Sequence, residues 1–218
     1  MTQSLVGNLL VASTLVTESV FTRGVCLMMH HDDDGAIAVM LNRPIWPPPT
    51  ELIQLIVGEP DGDRGQETDE GSFPRPRWEN AEAEPSLTDG PSAGVTASGL
   101  VHFGGPLSGP VLAIHGTMAL AEAQTGHGIY VAAQKDHLEQ LLRQKPSDYR
   151  LIIGHAGWTA GQLDTEIAAG MWHILPATAD MVFGAESDLW PLLIRRATGS
   201  TLARWVGAPD NPVATALN

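Results

Sequence analysis

The chain has 218 residues, 43% of them hydrophobic and 17% charged, which is enough for one sizeable core and excludes a disordered protein. Its net charge is −13, and the acids fall on both parts of the chain: residues 58–99 hold ten Asp/Glu against three Arg, leaving fifteen acids against nine bases elsewhere. Such a chain repels phosphate backbones, so no direct nucleic-acid binding is expected. One cysteine, Cys26, in an apolar run excludes a disulfide framework and is expected to be a buried, inert thiol in a reducing, cytoplasmic setting. The N-terminal segment lacks a basic leader region and its apolar runs are too short for a bilayer, so no membrane association is expected.

In chain order, "LVGNLLVAS" (5–13) and "RGVCLMMHH" (23–31) read as strands, and "DDDG" (32–35) turns the second into "AIAVMLNRP" (36–44). The Asp-Gly pair predicts a hairpin with Gly35 at positive φ. A short helix follows "NRPIWPPP", with Thr50 as its cap and Leu52, Leu55 and Ile56 on one face. Residues 58–99 are rich in Gly, Pro and acids and show neither helical nor strand periodicity, which predicts a mobile insertion. Its Phe73 and Trp78 could dock locally.

Beyond the insertion, "LVHFGGPL" (100–107) and "GPVLAIHG" (109–116) read as strands joined through the Gly-Gly-Pro turn, and "GIYVAA" (128–133) as another. "QKDHLEQLLRQKP" (134–146) is a helix, with Leu138, Leu141 and Leu142 on one side and Pro146 preventing its continuation. "YRLIIGHAG" (149–157) reads as a buried strand. A last helix is expected from about Ser187, with Leu189, Leu192 and Leu193 inward, before a frayed tail, "GAPDNPVATALN".

The densest stretch is "GHAGWTAGQLDTEIAAGMWHILP" (154–176). Thr159 and Gln162 have capping-box spacing, Leu163 and Ile167 share a helix face, and Gly170 stands where a helix end prefers positive φ. "MWHILP" then alternates, putting Trp172 and Ile174 on one strand face and Met171, His173 and Leu175 on the other. Two readings follow. In the first, the helix N-terminus is an anion site, with Gly157, Gly161 and backbone N–H groups cradling a carboxylate or phosphate beside His155. In the second, which is favoured, the glycines allow a sharp turn and Trp158 plugs the core. No Walker pattern is present.

Taken together, "NLLVAS", "GAIAVMLNRP", "FGGPL" and "AGWTAGQLDTEI" occur in an order that resembles the YqgE/AlgH family of bacterial proteins, over about residues 5–57 and 100–195. His30 stands where that family usually has an acid, and the Asp-Pro usual after "LVAS" is replaced around "TLVTESVF". The resemblance implies an α+β fold with an irregular, barrel-like sheet. It brings no settled catalytic residues. Some members are called transcriptional regulators through an association with alginate production.

Strands in hairpins beside one helical crossover likewise predict an α+β chain, a single domain over 1–218 with a mixed sheet flanked by helices, a sheet that the resemblance implies is barrel-like. "HHDDD" (30–34) looks metal-like, but adjacent strand residues point to opposite faces, so a solvated hairpin tip is favoured and no metal residue is assigned. His102, His115, His155 and His173 lie on or near strands, and neither Ser13 nor Ser108 has an identifiable base. Arg43, leaving a strand beside Pro44, either meets an anionic ligand or clasps Asp164 or Glu166. The functional expectation is a non-enzymatic binding or regulatory protein without a cofactor, whose partner is a protein or a small anionic ligand. Its candidate binding residues are Arg43, His155, Gly157, Trp158 and Gly161. The alternatives are a hydrolase using His155 or His115 as base, and an interaction protein acting through the acidic insertion.

Overall fold

The computed structural model describes residues 4–17, 19–57 and 101–206. The 58–99 tract, including Phe73 and Trp78, and the tail 207–218 lie outside the described residues, as do the side chains of Thr50 and Leu55.

The first half contributes β1 (Asn8–Ala12), β2 (Val25–Asp32), β3 (Gly35–Met40) and α1 (Thr50–Val57). Next come β4 (Val101–Phe103), β5 (Leu112–His115), β6 (Ala123–Gly126), β7 (Ile129–Ala132), α2 (Lys135–Gln144) and β8 (Tyr149–Ile153). The chain ends with β9 (Ala156–Thr159), α3 (Gln162–Ala168), β10 (Trp172–Pro176), α4 (Ala179–Phe183) and α5 (Glu186–Val206).

These strands form two five-stranded sheets that are not closed into a barrel. The first, ordered β10-β1-β2-β3-β9, is antiparallel throughout, and its β2–β3 hairpin turns at Gly35 with φ +155°. The second is ordered β4-β8-β5-β7-β6 and is mixed, because β4 runs parallel to β8. The α+β class and flanking helices agree with the sequence, while "barrel-like" holds only loosely. β4 and β5 are not neighbours across a Gly-Gly-Pro turn; β8 lies between them. β6 has no counterpart in the sequence reading, since "AQTG" carries only one buried residue, Thr125.

Alternation along the strands produces three apolar layers. Leu9, Val11, Leu27 and Val39 of the first sheet meet Ile114, Ile129 and Ile152 of the second, with Leu189 and Leu193 of α5 closing the side. Leu192 is 54% exposed, so this helix turns two of its three expected leucines inward. On the other face of the first sheet, Leu10, Cys26, Met28 and Met40 pack with Trp158, Leu163 and Trp172. On the outer face of the second sheet, α1 and α2 cover Val101, Ala113, Tyr149 and Leu151, with Leu138, Leu141 and Leu142 all buried. α2 stops at Lys145, which takes the left-handed conformation at φ 46° before Pro146.

Two junctions hold the sheets together. At one, the Ile45 and Phe103 N–H groups donate to the Val101 and Arg43 carbonyls. At the other, the Thr125 hydroxyl donates to the Met28 carbonyl at 2.8 Å, beside the β2 bulge. Between the sheets lies Arg150, 1% exposed, whose guanidinium donates to the Leu41 carbonyl at 2.9 Å, to the Gly184 carbonyl, and to His102 Nε2 at 3.0 Å. A guanidinium does not neutralise itself, so these partners are what make its burial tolerable.

Arg150→Ala removes the donor from the buried Leu41 carbonyl, the partly buried Gly184 carbonyl and one imidazole, and opens a cavity. A loss of about 3–5 kcal/mol is expected in urea unfolding. A loss under about 1 kcal/mol would show that the sheets do not depend on this charge.

Candidate functional site

The strand expected over 149–157 is divided at Gly154, where φ is +76° and the chain passes from the second sheet into the first. Gly104 and Gly105 cross it there so closely that a Cβ on either would lie 2.3 Å from backbone atoms of Gly154 or His155. The "FGGPL" glycines are therefore set by this crossing. Leu107 and His155 then exchange backbone hydrogen bonds, both 3.0 Å. "AGWT" is accordingly a strand, β9, in place of the expected glycine-rich turn.

After β9, the capping box forms in half. The Gln162 side-chain oxygen accepts the Thr159 N–H at 3.1 Å, but the Thr159 hydroxyl donates to that same oxygen at 3.2 Å instead of capping the helix. The N-cap is Gly161, at φ +69°. Gly170 is at φ +74°, as its place after the helix predicts.

Glu166 organises this segment. Its Oε2 accepts the indole N–H groups of both Trp158 and Trp172, each at 2.8 Å, and its Oε1 accepts the Gln162 amide at 3.1 Å. The two indoles meet edge to face with centroids 5.9 Å apart, and Phe21 stacks on Trp158 at 6.2 Å. Two nearly buried aromatic donors thus share one charged acceptor, a charge-assisted arrangement that fixes both rings.

Arg43 is not clasped to Asp164 or Glu166. It donates to the carbonyls of Asn42, at 3.0 Å, and Thr22. Asn42 reaches the same loop, accepting the Val25 N–H and donating to the Arg23 carbonyl, both at 2.9 Å. "LNRP" therefore staples the 19–24 loop, with Arg23 at φ +55°. Burial pushes the Cys26 thiol up to about 12 against the pull of the Arg43 charge, so it stays protonated.

The five candidate binding residues are only partly brought together. His155, Gly157 and Trp158 are successive on one chain segment, but Trp158 faces the core while Gly157 faces out. Gly161 begins the next helix, and Arg43's hydrogen bonds reach none of these four. At the hairpin tip His30 contacts Asp32 at 2.8 Å, whereas His31 Nδ1 accepts the Leu5 N–H at 3.2 Å, so the two imidazoles have separate partners. Among the described residues no group of three His, Cys, Asp or Glu is arranged to hold a metal ion.

Sequence reasoning missed Glu166 as the shared indole acceptor, although two tryptophans flanking a helix with a glutamate on it were visible. It also passed over Arg150, whose signal was a charge inside the apolar run "YRLII". Glu122 was missed as well. Its carboxylate accepts the Ala133 and Gln134 N–H groups at 3.0 and 2.9 Å and the His137 ring at 2.9 Å, capping α2 from outside.

The AlgH-like family model matches residues 9–202. The chain belongs to this family. A UPF0301 protein of Chlorobium luteolum is 30% identical over 197 residues, covering 88% of this chain and 86% of that protein. The UPF0301 protein Smlt1098 of Stenotrophomonas maltophilia is 30% identical over 182 residues, covering 83% and 81%. The solution structure of the AlgH protein from Pseudomonas aeruginosa matches with a TM-score of 0.60 at 19% identity, over 97% of this chain and 100% of that one. The crystal structure of protein DIP2367 from Corynebacterium diphtheriae also reaches 0.60, at 21% identity over 89% and 88%. These structural likenesses show a shared fold. The AlgH-like elements "LNRP", "FGGPL" and "AGWTAGQLDTEI" turn out to be a loop staple, a chain crossing and a carboxylate–indole cluster.

Glu166→Ala leaves two nearly buried indole N–H groups without their acceptor. It is expected to cost about 2–4 kcal/mol and to shift tryptophan emission, read by urea unfolding with fluorescence; unchanged emission and stability would remove Glu166 from this role. Arg43→Ala is expected to lower stability by about 1–2 kcal/mol and to speed amide exchange over 19–24. Unchanged stability with altered ligand response would make Arg43 a binding residue instead.

Proposed function

We propose that this protein acts by binding, without turnover, that its partner is an extended basic segment of another protein, and that any effect on transcription is indirect. The observation that carries this reading is the outer side of β9. Ile37, its neighbour across the β3–β9 ladder, is 40% exposed, and Leu107, which lies over Gly157, is 47% exposed. The backbone groups of His155 point away from the sheet to meet Leu107. Two residues on, those of Gly157 point the same way, and no backbone partner meets them among the described residues.

An edge with open N–H and C=O groups beside an apolar patch is what an extended peptide recognises by strand addition. Charge selects its sign. Gly35 pairs with Thr159, which sets the β2–β3 hairpin tip with exposed Asp34 at one end of β9, and exposed Asp164 stands in the first turn of α3. Those acids, on a chain of net charge −13, disfavour the small anionic ligand and favour lysine or arginine beside apolar residues. They also argue against direct nucleic-acid contact. In the hydrolase alternative, His115 is a poor base, since it has no exposed surface for a substrate to reach.

The test is an NMR titration with a Lys-flanked Val-Thr-Val heptapeptide and its Glu-flanked counterpart. Saturable shifts at Ile37, Leu107 and Gly157 with the Lys peptide are expected, with affinity falling about tenfold in Leu107→Ala. Equal response to the Glu peptide, shifts centred elsewhere, or no saturation would overturn the reading.

A further inference from the structure

His115 is 0% exposed; the Thr117 backbone is the hydrogen-bonding group that acts on its ring, but both ring nitrogens are sealed from solvent and neither has a partner at full hydrogen-bond geometry among the described residues. The hydroxyl of Tyr149, its cross-strand partner on β8, is likewise sealed and without one. Under-satisfied buried polar groups are rare in folded proteins, and here two occur side by side. They lie on the outer face of the second sheet, the face that α2 covers through Leu138, Leu141 and Leu142.

A neutral imidazole tolerates this position at moderate cost. An imidazolium is tolerated less well, because its full charge would be held away from water, with the Thr117 backbone and the Glu122 charge offsetting only part of the desolvation. The titratable groups that face it are few. Tyr130 of β7 lies 6.2 Å away, ring centre to ring centre, and Tyr149 lies opposite on β8. Asp148 packs beside Gly116, and from α2 comes His137, joined to Glu122 before β6. Burial lowers the His115 pKa and His137 lowers it further, against the opposing effects of the Thr117 backbone and the Glu122 charge.

We propose that His115 is an acid-sensitive latch, and that proton uptake on its imidazole detaches α2 from the second sheet. The closed state excludes the proton and the open state accepts it, so the closed state is at full advantage above the ordinary imidazole pKa. That advantage falls as pH drops from there toward the lowered value of the closed form. Glu122, the external cap of α2, titrates later. Burial raises its pKa, but the Gln134 and Ala133 N–H groups and His137 outweigh that and hold it below the ordinary carboxylate value. Opening therefore begins with His115, before the cap is lost.

The experiment follows the His115 ring resonance and the exchange of α2 amides, corrected for intrinsic rates, between pH 7.5 and 4.5. The opening constant for Leu138, Leu141 and Leu142 is expected to rise about tenfold per pH unit below the ordinary imidazole value, ahead of global unfolding. His115→Leu removes that slope, whereas His137→Asn raises opening at every pH and leaves the slope in place. An unchanged slope in His115→Leu overturns the proposal. So does a His115 that titrates with no change in α2 exchange. Should His115→Leu not fold, the wild-type chain decides the matter: protonation of His115 only together with global unfolding overturns the latch.

Discussion

A full positive charge at the centre of an apolar layer governs how this chain folds. Arg150 sits on β8 between the two sheets, and its donors reach the end of β3 at Leu41, β4 at His102 and the end of α4 at Gly184. Each contact comes from a different part of the sequence, so none exists until the chain is largely assembled. A sheet slipped by one residue would turn Arg150 outward, toward α2, and bring Tyr149 or Leu151 between the sheets. The buried charge thus fixes register where the surrounding isoleucines and leucines would tolerate several packings. Its companion at the far junction, Thr125 on the Met28 carbonyl, does the same with a neutral bond across the β2 bulge.

The segment most suggestive of catalysis is arranged by similar means. Histidine, acids and tryptophans between glycines look like an active site in one dimension. In three dimensions the acid is engaged by the tryptophans, and Gly154 lies at a chain crossing with no room for a Cβ. The local order follows from this. Gly154 redirects the chain between sheets, β9 carries Trp158 inward, α3 places Glu166 above it, and Gly170 returns the chain so that Trp172 reaches the same oxygen. What remains on the other side of β9 is the open edge proposed above as a binding surface.

Local signals were legible in the sequence, and pairings between distant segments were not. The hairpin at Gly35, α2 with its leucines and its stop before Pro146, and the positive φ of Gly170 all depend on neighbours within a few residues. The division of one apparent strand at Gly154 could not be read, because Gly-His-Ala continues an alternating pattern whichever sheet it joins. Nor could β6, whose only buried side chain is a threonine used for a cross-sheet hydrogen bond. At Leu192 the helical pattern offered three inward leucines where the packed surface accepts two. Around 155–161, the burial of Trp158 was legible as a core plug between glycines. Arg43 was separated from this segment because its partners are main-chain carbonyls, which leave no mark in a sequence.

Two deeply buried ionisable side chains, Arg150 and His115, receive opposite treatment, and their chemistry explains why. A guanidinium keeps its charge at any pH a protein meets, so burying it requires acceptors, and carbonyls and an imidazole meet it. An imidazole can shed its charge, so the fold can bury it with far less hydrogen bonding than the guanidinium receives. The first solution is insensitive to pH. The second makes the contact between α2 and the second sheet conditional on His115 remaining neutral. A hydrocarbon side chain at position 115 has no proton to take up, so the proposed response to acid depends on the imidazole itself.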